Sequence, residues 1–268
     1  ATTIGGARQS CRVARERWWI ASYSALKTIA SEQHAVAETP GEEVFREALR
    51  APEAAAATSP ASAPSSPGSG SLHAFPRGAE AGTFLHDLLE WAARQGFATV
   101  AANRQLLRDT VARRCHARGW AEWIDVLTAW IEHFLQTKLL FPADRQLPEA
   151  RFSLAGLRAS SAEMEFWVEV HAVDTASIDR LVCAHTLAGA ARPMLQPGQL
   201  NGMLKGFIDL VFEHHGRYYV ADYKSNWLGP DDAAYTAEAM RAAILHSRYE
   251  LQYALYLLAV HRLLKLRL

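Results

Sequence analysis

Apolar residues recur at helical spacing in AGTFLHDLLEWAARQ (81–95), where Phe84, Leu85, Leu88, Leu89 and Trp91 fall on one side. The pattern predicts an amphipathic helix with Thr83 as its N-cap and His86 in its first turn. Helical patterns continue over 103–141, and WAEWIDVLTAWIEHFLQTKL carries Trp and Leu on one face, as a packing layer of helices requires. The period then changes. AEMEFWVEV (162–170) alternates Met164, Phe166, Val168 and Val170 with Glu163, Glu165, Trp167 and Glu169, which predicts a half-exposed strand. GFIDLVFEHHGRYYVADYKSNW (206–227) reads as two strands joined at a His-Gly turn, followed by a polar loop from Ser225 to Asp232. The last stretch, YTAEAMRAAILHSRYELQYALYLLAVHRLLKLRL, predicts two helices or one broken helix. Near the start, WWIASYSALKTIA (18–30) predicts a short strand and then a helical turn capped by Ser22 or Ser24. Helices, then strands, then helices give an α/β fold with a small mixed sheet flanked by helices.

One segment breaks the patterning. APEAAAATSPASAPSSPGSGS (51–71) is too rich in Pro, Ser, Ala and Gly to build a core, and it reads as a flexible linker. It divides the chain into an N-terminal entry segment over 1–50, a linker over 51–75 and a main domain over 76–268. With 268 residues, 50% of them hydrophobic, there is enough chain for a full core. Lys plus Arg equals Asp plus Glu at 28 each, so any polyanion site must be a local patch. Cys11, Cys115 and Cys183 stand far apart and suggest neither a disulfide framework nor a metal knuckle, which fits a reducing cytoplasm. No stretch approaches the roughly 18 apolar residues of a membrane span, so no membrane partner is expected. No GxxxxGK[ST] loop occurs, so no ATP site is expected either.

The hairpin carries the chemistry. With His215-Gly216 as the two-residue turn, His214 faces Arg217, and counting back sets Asp209 directly opposite Asp222. The strand period brings Lys224 to the same face. Like charges opposite one another in a sheet repel, and burial raises the cost. A divalent cation such as Mg²⁺ compensates economically, because two carboxylates, a backbone carbonyl such as that of Tyr223 and waters complete its shell. Beside such an ion, the Lys224 ammonium can position a water or neutralise charge growing on phosphorus. The alternative is a structural Asp-Lys ion pair with an unrelated edge carboxylate.

These residues resemble the PD-(D/E)XK nuclease superfamily, and within it the RecB-like nuclease domains of helicase-nucleases. SYSALK (22–27), GTFLH (82–86), EMEF (163–166), LKGFIDLVFEHHGRYYVADYKSNWLG (204–229) and YELQYALYLLAVHRLL (249–264) carry the resemblance. It implies a restriction-endonuclease-like core in which Asp209, Asp222 and Lys224 are catalytic and His86 is a further metal ligand. Glu163 corresponds to an acidic residue grouped with that core. Gln252 and Tyr256 match a Q-x-x-x-Y helix that supports the site or touches DNA. Ile208 stands where the family name has its proline, and three scattered cysteines cannot build the iron-sulfur cluster of some RecB-like members.

The resemblance further implies a Mg²⁺-dependent deoxyribonuclease, with Mn²⁺ able to substitute, acting as an exonuclease in double-strand break repair. DNA, RecC- and RecD-like subunits and a RecA-like recombinase are its implied partners, in a bacterial cytoplasm. Arg104, Arg108, Arg113 and Arg114 are candidates to line the DNA path. The chain stops on HRLLKLRL, in mid-helix by pattern, so a fragment of a longer protein is expected. Two rivals are a catalytically silent nuclease fold that holds DNA or docks a recombinase, and a metal-dependent phosphatase, against which the absence of clustered His and Asp ligands counts.

Overall fold

In the computed structural model, which describes residues 19–23, 26, 71–141, 151–187, 189–195 and 197–268, strand β5 (Gln199–His214) is the spine of the sheet. Strand β4 (Ala159–Asp174) runs antiparallel along one edge of β5, from Ala159 opposite Glu213 to Asp174 opposite Gln199. The other edge is shared. Strand β1 (Trp19–Ala21) pairs in parallel with Gly202 to Leu204, and β6 (Arg217–Ala221) pairs antiparallel with Leu210 to His214. The sheet is therefore small and mixed, and on this edge strand pairing stops at Leu204 and resumes at Leu210. Asp209 lies in that opening.

Two cores clamp the sheet. Helices α1 (Ala79–Gln95), α2 (Phe97–Ala102), α3 (Arg104–His116) and α4 (Ile124–Gln136) bury Phe84, Leu88, Leu107 and Ile131 against Leu210 and Phe212. The second core joins Phe166, Leu204 and Ile208 to Val182 of α5 (Thr175–His185) and to Leu251, Leu255 and Val260 of α7 (Tyr249–Arg267). Each fully buried Leu or Ile contributes roughly 1.5–3 kcal/mol, so both layers are firmly attached. In a regular strand Ile208 and Leu210 would share a face. Here they enter different cores, so the alternation slips at Asp209. Across the ladder, Ala162 pairs with Leu210 and Met164 with Ile208, which sets Glu163 opposite Asp209 in a left-handed conformation at φ 50°. The regular ladder is interrupted where acidic side chains face one another.

Several elements differ from the sequence expectation. Helix α1 starts at Ala79 behind Gly78, at φ 103°, so Thr83 lies inside the helix and His86 at the end of its second turn rather than in its first. The small residues of AEAG hid that first turn, although Ala81 is buried. Strand β6 ends at Ala221, so Lys224 reaches the site from the irregular segment that follows and not by strand period. Helix α5 has few apolar residues to mark it, yet Asp174 caps it by accepting from the backbone N–H groups of Ala176 and Ser177. The short hairpin of β2 (Leu139–Leu140) and β3 (Arg151–Phe152) was likewise not anticipated. The C-terminal pattern is two helices, α6 (Ala237–Ser247) and α7, broken at Arg248, whose φ of 61° is left-handed. Leu26 N–H donates to the carbonyl of Ser22, as the predicted turn after β1 requires. The 51–71 linker, apart from Ser71, lies outside the described residues.

Candidate functional site

The His215-Gly216 turn has φ of 51° and 74°, the paired positive values of a tight hairpin turn, and it seats His214 opposite Arg217. The register runs to Leu210 opposite Ala221 and so carries Asp209 and Asp222 to opposing positions just past the end of β6. Both line one cavity of about 1370 Å³, together with Lys224, His86, Glu163 and Gln252, and Tyr256 lies at its wall. The candidate metal-holding, catalytic and supporting residues therefore converge on one place. The basic residues do not. Arg104 pairs with Glu132 at 2.6 Å, Arg108 with Asp125 at 2.7 Å, and Arg114 donates to the carbonyl of Asp87. None of these three, nor Arg113, lines the cavity.

Asp209 is oriented by two neighbours. Its Oδ2 accepts the Tyr223 backbone N–H at 2.7 Å, and His86 Nδ1 stands 3.4 Å from the same oxygen. Burial pulls the His86 imidazole toward neutrality, but the bond to Asp209 and the charges of both aspartates outweigh it, so His86 holds its proton more tightly than usual. Asp222 is pushed up to about 6 from its ordinary 3.8, first by burial and then by the charge of Asp209, with Lys224 pulling the other way.

Helix α7 supplies the frame around the ammonium. Gln252 donates its amide to Asp222 Oδ1 at 3.2 Å and accepts from Lys224 Nζ at 2.8 Å. The same amide lies 2.7 Å from the hydroxyl of Tyr256, one turn further along and packed edge-on to Phe166 in the core. Lys224 also contacts Asp222 Oδ2, and its ammonium sits 4.1 Å from the centroid of the Tyr249 ring. Tyr249 was missed in the sequence, although it precedes Gln252 by three residues and so shares its helix face. Arg77, Trp227, Tyr235 and His73, which also line the cavity, carry no periodic signal, because they sit in loops and short turns.

The donor set fits a hard divalent cation. Asp222 Oδ2 is buried and, although touched by Lys224, receives no well-directed hydrogen bond, and the two carboxylates repel across the hairpin. A cation held by both aspartates would relieve both conditions. Among the described residues no three His, Cys, Asp or Glu side chains form a preformed cage. An ion held by two carboxylates, the Tyr223 carbonyl and waters would need no such cage.

A family model described as the PD-(D/E)XK nuclease superfamily matches residues 67–267. The RecBCD enzyme subunit RecB of Escherichia coli strain K12 is 43% identical over 200 residues, which is 73% of this chain and 16% of that protein. The Haemophilus influenzae protein of the same name is 32% identical over 192 residues, 71% of this chain and 15% of the relative. That of Mycobacterium tuberculosis is 33% identical over 232 residues, 75% and 20% respectively. The chain thus spans between 15% and 20% of the length of these three relatives.

Proposed function

We propose that this chain, which belongs to the PD-(D/E)XK nuclease superfamily, is the nuclease domain of a RecB-type helicase-nuclease and hydrolyses the phosphodiesters of DNA with Mg²⁺, for which Mn²⁺ can substitute. The observation that carries this reading is the opposed pair Asp209 and Asp222, with Lys224 held beside it by Gln252. Asp209, Asp222 and the Tyr223 carbonyl are the groups that would hold the ion. When bound, it supplies Lewis-acid polarisation of a phosphoryl oxygen and a more acidic water. His86 keeps Asp209 oriented and completes that side of the site. Glu163, opposite Asp209, adds a third carboxylate able to accept from a water of the coordination shell.

Lys224 acts on the reaction itself. Its ammonium, pinned by Gln252 and Asp222 over the Tyr249 ring, positions the attacking water and neutralises charge that builds on the phosphoryl oxygens. Water forms the new P–O bond as the ester P–O bond breaks, with the proton passing to solvent or to the leaving oxygen. Gln252 and Tyr256 are positioning residues.

In this reading residues 76–268 are the body of the nuclease domain, joined through 51–75 to the segment over 1–50, which supplies strand β1 to the same sheet, while Phe75 at the end of the connection is buried in the helical core. The name of the relatives, RecBCD enzyme subunit RecB, supports RecC- and RecD-like partners, and a role in digesting DNA ends during double-strand break repair is proposed with them. A RecA-like recombinase and a bacterial cytoplasm belong to the same proposal. Among the described residues no helix is long and apolar enough to cross a membrane. The test is to incubate the chain with linear and circular single-stranded DNA in Mg²⁺ or EDTA, without ATP. Cleavage of linear DNA in Mg²⁺ alone supports the reading; none in either buffer, or equal cleavage in both, contradicts it.

A further inference from the structure

Trp227 stands at the cavity with 42% of its surface exposed, and the Arg77 guanidinium lies 3.7 Å from the centroid of its ring. A single exposed apolar side chain is ordinary. This one belongs to a loop that is fixed on both sides. Gly82 of α1 approaches so closely that a Cβ there would lie 2.9 Å from Ser225 Oγ, and one on Gly229 would lie 2.2 Å from the Cβ of Ala234. Asn226 Oδ1 accepts from the Tyr249 hydroxyl at 3.2 Å, and the Leu228 N–H donates to the Tyr235 hydroxyl at 3.3 Å. His73 Nε2 lies 2.7 Å from Asp232 Oδ1, with its ring 5.0 Å from that of Tyr235. The exposure of the indole is therefore built into the loop rather than a consequence of fraying.

The placement is also chemical. Arg77 is exposed and, among the described residues, meets no carboxylate and packs on the indole. Trp227 follows Lys224 by three residues, so their Cα atoms are at most roughly 10 Å apart. A phosphate held by the carboxylates would therefore lie only a few nucleotides along a single strand from a base on Trp227.

We propose that Trp227 and Arg77 form a base-stacking subsite for single-stranded DNA. It rests on the reading of this cavity as a nuclease site and adds to it a means of substrate selection. The exposed indole surface takes one unpaired base, and the guanidinium meets the adjoining phosphate. Stacking accepts any base, so the subsite is indifferent to sequence. A base inside a duplex already has both faces covered, so the subsite favours unpaired strands.

The test is a binding titration of the full 268-residue chain with a fluorescent oligothymidylate and with an abasic strand of equal length. Ca²⁺ replaces Mg²⁺ to limit cutting. The wild type should prefer the oligothymidylate by about tenfold, the size expected for a stacked base. Trp227→Ala should bind both strands alike, at the abasic level. Trp227→Phe should retain most of the preference, and Arg77→Ala should weaken both strands while leaving a preference in place. Melting curves check that the variants fold; should Trp227→Ala fail to, Trp227→Leu, with apolar bulk and no π face, takes its place. A folded Trp227 variant without a ring that keeps the tenfold preference, or a wild type with no preference, overturns the subsite. Cleavage in Mg²⁺ is measured alongside. If the wild type cuts DNA and the subsite fails, only this inference falls; if the wild type neither binds nor cuts, the nuclease reading falls and the subsite with it.

Discussion

Gln252 donates to Asp222 at 3.2 Å while accepting from Lys224 at 2.8 Å, so one amide fixes the spacing of a carboxylate and an ammonium. Gln252→Ala should lower the single-turnover cleavage rate by about 10- to 100-fold, the usual loss when a group that orients metal ligands is removed. Gln252→Glu should be worse than the loss of one hydrogen bond predicts, because it places a third carboxylate against Asp222. A rate unchanged by Gln252→Ala would leave the amide as surface decoration.

Lys224 lies on the cavity side of Asp222 and acts on water or on the transition state in the proposed chemistry. Lys224→Ala should cut the single-turnover rate by about 10²-fold or more. Its calorimetric Mg²⁺ affinity should hold or rise, since a nearby positive charge is gone. Loss of Mg²⁺ as severe as in Asp222→Ala, with cleavage restored at high Mg²⁺, would make the lysine an organiser of the carboxylates instead.

Asp222 should itself weaken the metal-free fold. Its carboxyl, raised to about 6 by burial and by Asp209, binds a proton more tightly folded than unfolded. Stability should therefore fall as pH rises from about 4 through about 6. At pH 8 Asp222→Asn should stabilise the metal-free protein on the order of 1–3 kcal/mol in urea denaturation. Mg²⁺ should stabilise the wild type and leave the variant nearly untouched. A less stable metal-free variant would show that the pair is not under repulsion.

The register that opposes Asp209 to Asp222 was legible in the sequence because a two-residue turn leaves a single way of counting. Alternation likewise marked β4, and the C-terminal pattern allowed two helices without placing the break, which falls at Arg248. Contacts across loops were not legible. Arg77 and Trp227 are 150 residues apart and neither sits in a periodic element. Burial of charge was hidden as well: Asp179, Arg248 and Glu250 read as surface residues, yet all three are buried and joined, Arg248 bonding Asp179 at 2.6 Å and Glu250 at 2.5 Å. Helix α5 escaped notice because its buried face holds little beyond Ile178 and Val182.

That buried cluster ties α5 to the junction of α6 and α7, and it sets an acid limit. Burial raises the Asp179 carboxyl, but the Arg248 bond and the Leu195 N–H outweigh it, so it titrates below its ordinary 3.8. A depressed folded value stabilises above the ordinary value, and that stability is lost as pH falls through the folded one. Arg248→Met should cost about 3–5 kcal/mol at pH 7, because buried Asp179 loses its guanidinium partner while Glu250 keeps only Arg192, at 3.5 Å. The deficit should shrink toward pH 3, as measured by denaturant titration at both values. A deficit independent of pH would mean that the cluster acts by packing alone.

The most direct test of the proposed site is cleavage of a linear single-stranded oligonucleotide, under single-turnover conditions, by the wild type and by Asp222→Asn in Mg²⁺ and in EDTA. The substitution preserves shape and removes one charge from the pair that would hold the ion. The expected result is cutting by the wild type in Mg²⁺, none in EDTA, and a rate for Asp222→Asn lower by about 10³-fold or more, a loss of about 4 kcal/mol in transition-state stabilisation. Undiminished cutting by Asp222→Asn, or cutting by the wild type in EDTA, would contradict it.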